Sequence, residues 1–149
     1  MEWLQLLKKI VGNKDYRIYH WSHAEVTFIN KAFNRYNVAN NLAKNLKWFD
    51  LLKFFKDYNI AIKGVFGYGL KNVANGLYKH NLIKTQWESE CVDGLEAMLI
   101  ALHVNSLGIY ETLEDYPDMK EVIKYNEIDC KVLYDIRSSL LMKKKYSRH

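Results

Sequence analysis

Cysteine and long apolar runs are scarce in this chain of 149 residues, and each absence excludes a class of protein. Cys91 and Cys130 lie far apart without CxxC spacing, which argues against a disulfide framework or a zinc site. The longest apolar run, AMLIALHV at 97–104, is far too short to span a bilayer. The opening MEWLQLLKKIVGNK has no signal-peptide pattern. We therefore expect a soluble, intracellular protein in a reducing compartment, without a membrane partner.

Apolar and aromatic residues, by contrast, are plentiful. The chain is 49% hydrophobic and 14% aromatic, which is enough for a core and excludes general disorder. Its length predicts one domain. Lys and Arg number 22 against 17 Asp and Glu, giving a net charge of +5 and a pI of about 9.1. This mild basic excess permits a polyanionic partner such as nucleic acid.

The spacing of apolar residues predicts a mostly helical α/β protein. A strand is expected at 16–21, and the segment KWFDLLKFFKDY (47–58) is expected to form a short strand or turn that leads into a helix. Helices are expected at 1–11, 22–36, 70–80, 92–104 and 116–145. The order of elements suggests an α/β layer with a helical flank. Two strands are few for a stable sheet, so we expect only part of a central sheet here. A partner chain or a missing N-terminal segment would complete it.

One carboxylate falls on the inward face of the last predicted helix. Tyr125, Asp129, Val132, Ile136 and Leu140 share one side of that helix. An aspartate on an apolar stripe is costly unless it is paired or binds a metal. Asp129 is therefore a candidate site residue. The alternative is a structural one, in which it pairs with a lysine or caps a neighbouring helix.

Two further carboxylates follow predicted strands. Glu25 opens the helix after the first strand, at a strand end where α/β sheets build sites. Ser22 and Glu25 also have capping-box spacing, which is the alternative. Asp50 is a third candidate, with the N-cap of the next helix as its alternative. His20 is expected to be a hydrogen-bonded residue near the site and not a metal ligand.

The glycine-rich stretch GVFGYGLKN at 64–72 matches no phosphate-loop pattern. Lys71 in it is a candidate phosphate contact. The aromatic residues Phe66, Tyr68 and Trp87 are candidates for stacking on bases. The alternative is that they anchor the core or the loops.

Together these segments resemble the YprB-type ribonuclease H-like domain, a branch of the DEDD 3'-5' exonuclease superfamily. The similarity covers roughly residues 1–141 and leaves 142–149 as a basic tail. The last motif resembles the Tyr-x-x-x-Asp of the tyrosine-containing subclass, here Tyr125 to Asp129. The matching segments are RIYHWSHAEVTFINKAF (17–33), WFDLLKFFKD (48–57), GYGLKNVANGL (67–77) with Trp87 after it, and YNEIDCKVLYDI (125–136).

The resemblance implies two-metal phosphodiester hydrolysis with Mg²⁺ or Mn²⁺ held by carboxylates. By carry-over, Glu25 and Asp129 are metal ligands, and Tyr125 orients the attacking water. Asp50 and His20 are expected beside the site, and Lys71 is expected to bind nucleic acid.

One family motif, an Asp-x-Glu on the first strand, has no counterpart here. This departure predicts an N-terminally truncated domain that is incomplete as a nuclease. The alternative is a catalytically inactive ribonuclease H-like module that binds nucleic acid or a protein partner. A third alternative is a helical interaction domain with a chance resemblance.

Overall fold

The structure is a computed structural model that describes residues 2–36, 45–87, 94–108, 112 and 115–146. The chain divides into a first unit, Met1–Ala61, and a second unit, Ile62–His149. The predicted single domain over 1–141 stays a prediction.

The first unit alternates helices and strands as the sequence predicts. Its elements are α1 (Glu2–Val11), β1 (Ile18–His20), α2 (Ala24–Arg35), β2 (Trp48–Asp50) and α3 (Leu51–Asp57). The first strand is shorter than the predicted 16–21. It ends at His20 because the chain turns at Ser22, which has a φ of 72°.

The strands β1 and β2 pair in parallel, with Ile18 opposite Trp48 and His20 opposite Asp50. Parallel neighbours need a crossover connection, and the chain between β1 and β2 includes α2. The carboxyl ends of the two strands therefore meet. This register brings His20 and Asp50 together at one end of the small sheet.

Aromatic side chains dominate the core of the first unit. Phe33, Leu51 and Phe55 are almost completely buried. The Trp21 ring lies against that of Phe55, with centroids 5.4 Å apart. Helix α2 thus contributes Phe33 to this core, and helix α3 contributes Leu51 and Phe55.

The second unit is helical. A loop at 62–69 leads into α4 (Leu70–Lys79), which is followed by α5 (Gly94–Leu107) and α6 (Pro117–Tyr146). Helix α4 contacts α6. Helix α5 packs on the beginning of α6 through a core of Ala97, Val104, Tyr116, Met119 and Val122. The predicted mostly helical α/β class, with a small part of a sheet, is confirmed.

Helix α5 does not bury the side chains whose spacing first marks it as a helix. At least half of each of these side chains is exposed: Leu95, Met98, Leu99 and Leu102. The residues facing the core are instead Ala97 and Val104. Helix α5 carries apolar side chains on all of its faces, so the spacing of apolar residues does not identify the face that packs. The sequence predicts Asp93 as the N-cap of this helix, and Asp93 lies outside the described residues.

Helix α6 buries the predicted stripe. Val132 and Ile136 have no exposed surface, and Tyr125 and Asp129 are half-buried on the same side. Within the described ranges, no helix has both the length and the apolar character that a membrane crossing requires.

Candidate functional site

Asp129 lies one turn before the most deeply buried part of α6, and its carboxylate has a defined partner. The indole Nε1 of Trp87 donates a hydrogen bond of 3.0 Å to its Oδ1. The structural alternative for Asp129, a lysine pair or a helix cap, stays a prediction. The bond fixes one carboxylate oxygen and orients the side chain.

Lys71 lies beside this pair, in the first turn of α4. Its ammonium nitrogen is 5.7 Å from the ring centroid of Trp87 and 5.1 Å from that of Tyr125. Both distances fall in the range of cation–π attraction. We call Lys71, Trp87, Tyr125 and Asp129 the Lys71–Asp129 cluster. Each of its members is a residue that the sequence singles out.

Tyr125 is held from behind by the core of the second unit. It packs against the buried cluster between α5 and α6 and remains half-buried. Because it precedes Asp129 by one helical turn, the two side chains lie on one face of α6. An aromatic ring and a carboxylate are thus presented side by side.

A second aspartate on α6, Asp135, fixes the segment that carries Trp87. Its Oδ2 accepts hydrogen bonds from the backbone N–H groups of Lys84, at 3.2 Å, and Thr85, at 3.1 Å. Ile83 is buried just before them. Sequence reasoning missed Asp135, because its only signal is a carboxylate next to Ile136 in the apolar half of a helix.

At the strand ends of the first unit, Asp50 has a structural role. Its Oδ1 accepts hydrogen bonds from the N–H groups of Lys53, at 3.0 Å, and Ser22, at 3.2 Å. The predicted N-cap is therefore confirmed. The second bond also ties the end of β1 to the start of α3.

His20 belongs to the same arrangement. It is buried, and its Nδ1 donates a hydrogen bond to the carbonyl oxygen of Ser22. Its ring stands edge-on to that of Trp48, with centroids 5.4 Å apart. These contacts confirm that His20 is a hydrogen-bonded residue, whereas its place near the site stays a prediction.

The capping box predicted for Ser22 and Glu25 is wrong. The N-cap residue of α2 is His23, and no side-chain hydrogen bond caps the helix. Ser22 has a φ of 72°, and its hydroxyl contacts Nδ1 of His23 at 3.0 Å. The Ser22 N–H donates instead to Oδ1 of Asp50. Glu25 is left as an exposed carboxylate in the first turn of α2.

The predicted site residues thus fall into two groups. Lys71, Tyr125 and Asp129 come together in the second unit, whereas His20 and Asp50 meet in the first. Glu25 and Asp129 belong to different units, so their joint metal site stays a prediction.

The metal-ligating types of side chain in the described part of the chain do not form a cluster of three. Carboxylate oxygens are the right ligand type for Mg²⁺ or Mn²⁺. Among the residues that the structure describes, however, no three His, Cys, Asp or Glu side chains gather around one point. Asp129 fits such an ion in donor type, but it supplies only one carboxylate.

Comparison with known proteins gives one match. The family model described as RNase_H superfamily matches residues 2–141, which is nearly the whole chain. No curated protein and no solved structure matches it significantly.

Proposed function

Since this chain belongs to the RNase H superfamily, we propose that it is a nuclease-type domain that hydrolyses phosphodiester bonds of nucleic acid. The observation that carries the proposal is the Lys71–Asp129 cluster. It combines a cation, two aromatic rings and a carboxylate on one surface of the second unit. These are the groups that a nuclease uses to hold a phosphate, position a base and act on the bond between nucleotides.

Lys71 would bind the nucleic-acid backbone. It is an exposed cation at the beginning of α4. A lysine in this position neutralises phosphate charge without reading sequence. Its position over two rings also places a bound phosphate next to surfaces on which a base can stack.

Asp129 would provide a carboxylate for Mg²⁺ or Mn²⁺, with Glu25 as the proposed second ligand. Such an ion activates water and stabilises the leaving oxygen. The indole N–H of Trp87 orients the Asp129 carboxylate, as outer-shell donors commonly do for metal ligands. Tyr125, one turn away, is proposed to orient the water. The 3'-5' polarity and the two-metal mechanism belong to this proposal through the similarity of Tyr125-x-x-x-Asp129 to the exonuclease motif.

A second candidate function is nucleic-acid binding without hydrolysis. One observation favours it: within the described ranges no three metal-ligating side chains gather. A module of this kind would bind nucleic acid through Lys71 and the aromatic rings but would not hydrolyse the phosphodiester bond. A protein partner is the further alternative for such a module.

The proposal is tested with an end-labelled oligonucleotide and Mn²⁺. Because the chain has no counterpart of the Asp-x-Glu motif, we expect wild type to shorten the oligonucleotide from its 3' end only slowly. Asp129→Asn should abolish this residual reaction. Asp118→Asn is the matched control, because it removes an exposed carboxylate from the first turn of the same helix. It should leave hydrolysis unchanged.

Calorimetry with Mn²⁺ separates the proposed roles. Asp129→Asn should lose ion binding, whereas Tyr125→Phe should bind the ion normally and hydrolyse more slowly. Equal effects of both substitutions would contradict the roles assigned here. Oligonucleotide binding without hydrolysis in the wild type would favour the second candidate. A wild type that neither binds nor hydrolyses the oligonucleotide would refute both candidates.

A further inference from the structure

The loop at 62–69 exposes an aromatic side chain although its backbone is firmly held. Phe66 is 91% exposed. Its neighbour Val65 points the other way, onto Gly76 of α4. A Cβ atom at Gly76 would lie 2.1 Å from Cγ2 of Val65 and 3.1 Å from Cγ2 of Ile62. The close approach of loop and helix therefore requires glycine at this position.

Glycines and hydrogen bonds fix the loop at both ends. Gly64 and Gly67 have φ values of 80° and 83°, which other residues rarely adopt. The side-chain amide of Asn72 donates to the carbonyl oxygen of Phe66 at 3.4 Å. Nε2 of His80 donates to the carbonyl oxygen of Lys63 at 3.0 Å. The loop is thus anchored to α4, and Phe66 is presented outward by a defined backbone.

A groove of about 670 Å³ lies between this loop and α4. We call it the α4 groove. Its lining includes two lysines, two asparagines, one histidine and Phe66, and it includes no aspartate or glutamate. Its polar lining residues are Lys63, Asn72, Asn75, Lys79 and His80. A ligand that suits it would be anionic and would carry a flat apolar group.

The α4 groove is next to the Lys71–Asp129 cluster but separate from it. No member of the cluster lines the groove. Lys71 and Lys79 lie at opposite ends of α4, about 12 Å apart along its axis at 1.5 Å per residue. One helix therefore carries a cation at the cluster and another at the groove.

We propose that the α4 groove is a nucleotide-binding subsite for single-stranded nucleic acid. Phe66 stacks on a base, while Lys63 and Lys79 contact phosphates. Stacking favours a single strand, because paired bases in a duplex do not offer their faces to a side chain. The inference rests on the proposed function for the identity of the ligand. It adds a second contact surface to the one around Asp129.

The first test measures binding of a labelled oligothymidylate by fluorescence anisotropy at low salt, without divalent ions. Phe66→Ala should weaken binding roughly 5- to 150-fold, the range observed when a base-stacking aromatic is removed. Phe66→Trp should retain it. Phe28→Ala is the matched control, since Phe28 is also an exposed phenylalanine with a lysine, Lys31, 5.9 Å from its ring centroid. It should leave binding unchanged.

The second test uses the salt dependence of the same binding. Log affinity falls as log salt rises, and Lys63→Ala and Lys79→Ala should each make this negative slope shallower by about 0.7. Lys120→Ala removes an exposed lysine from α6 and should leave the slope unchanged.

The outcomes separate this inference from the proposed function. Equal binding by wild type and Phe66→Ala would overturn the subsite, whereas hydrolysis that depends on Asp129 would still stand. Equal affinity for a duplex and a single strand would also overturn it. Binding that depends on Phe66, in a chain that does not hydrolyse, would support the subsite and refute the nuclease proposal. No oligonucleotide binding by the wild type would overturn the subsite and favour a protein partner for Phe66.

Discussion

Two aspartates, one in each unit, accept hydrogen bonds from different kinds of donor. Both are half-buried, and both are candidates for the site. Asp50 accepts hydrogen bonds from two backbone N–H groups, those of Ser22 and Lys53. Asp129 accepts a hydrogen bond from a side chain, through the indole N–H of Trp87. A carboxylate bound by backbone defines the chain path, whereas one oriented by a side chain can exchange partners without moving the backbone.

The surroundings of the two aspartates differ in the same way. Beside Asp50, His20 is buried and donates its own hydrogen bond to Ser22, which closes the network. Beside Asp129, Lys71 is exposed. The strand ends of the first unit are therefore expected to matter for stability. The Lys71–Asp129 cluster is expected to matter for binding and chemistry.

The largest expected loss of stability comes from Asp50→Ala. It removes the N-cap of α3 and the acceptor for the Ser22 N–H. We expect the free energy of unfolding to fall by about 2 kcal/mol or more, from the usual costs of a lost cap and an unpaired donor. Urea denaturation measures it. Asp57→Ala, at the other end of α3, is the control and should have a far smaller effect. If Asp57→Ala lowered the free energy of unfolding as much as Asp50→Ala, the structural role of Asp50 would be contradicted.

Asp135→Ala should rank second. It removes the acceptor of two backbone N–H groups, so the segment before Trp87 should detach from α6. We expect a loss of about 1.5 kcal/mol, because the bonds are charge-assisted but partly exposed. Hydrogen exchange of the Lys84 and Thr85 amides, followed by NMR, should speed up first. Unchanged exchange at these two amides would contradict this anchoring role.

Local features of the sequence predicted much of this structure. The spacing of apolar residues identified the helices, and it placed Asp129 on the inward face of α6. The N-cap role of Asp50 followed from its position at the start of a helical pattern. The resemblance to a ribonuclease H-like domain is confirmed at the level of the superfamily. The YprB-type and DEDD assignments stay predictions.

Features that depend on distant contacts were not predictable. The bond between Trp87 and Asp129 joins residues 42 positions apart, and no local pattern marks it. The left-handed turn at Ser22 serves a hydrogen bond to Asp50, and it overrides a sequence that favours a capping box. Helix α5 is apolar all round, so its buried face is set by what packs against it.

Asp129→Asn tests the contrast between the two aspartates at Asp129, where we expect only a small effect on stability. The amide oxygen still accepts the hydrogen bond from Trp87, so the free energy of unfolding should change by less than about 1 kcal/mol. Denaturation of this variant beside Asp50→Ala measures the contrast directly. If Asp129→Asn were as destabilising as Asp50→Ala, Asp129 would be a structural residue and the two aspartates would not differ in kind.

Glu127→Gln should have the smallest effect, because this third carboxylate is exposed and belongs to neither network. Its Oε1 lies 2.6 Å from Nζ of Lys131, one turn further along α6. The hydrogen bond and charge of Lys131 hold the pKa of Glu127 below its ordinary value of 4.5. A lowered pKa in the folded state means that the stabilisation is present above the unfolded pKa. It is lost as the pH falls through the folded pKa.

Melting temperatures of wild type and Glu127→Gln, measured from neutral to acidic pH, test this sign. The small difference between them should vanish on acidification, and a difference that grows would contradict the pairing. Glu127→Gln also tests whether Asp129 is the carboxylate of α6 that hydrolysis requires. Glu127 lies between Tyr125 and Asp129 in the sequence, but it pairs with a lysine on the exposed side of α6. Oligonucleotide hydrolysis should therefore be unchanged in Glu127→Gln. A loss equal to that of Asp129→Asn would mean that hydrolysis depends on the negative charge of α6 in general and not on the oriented carboxylate of Asp129.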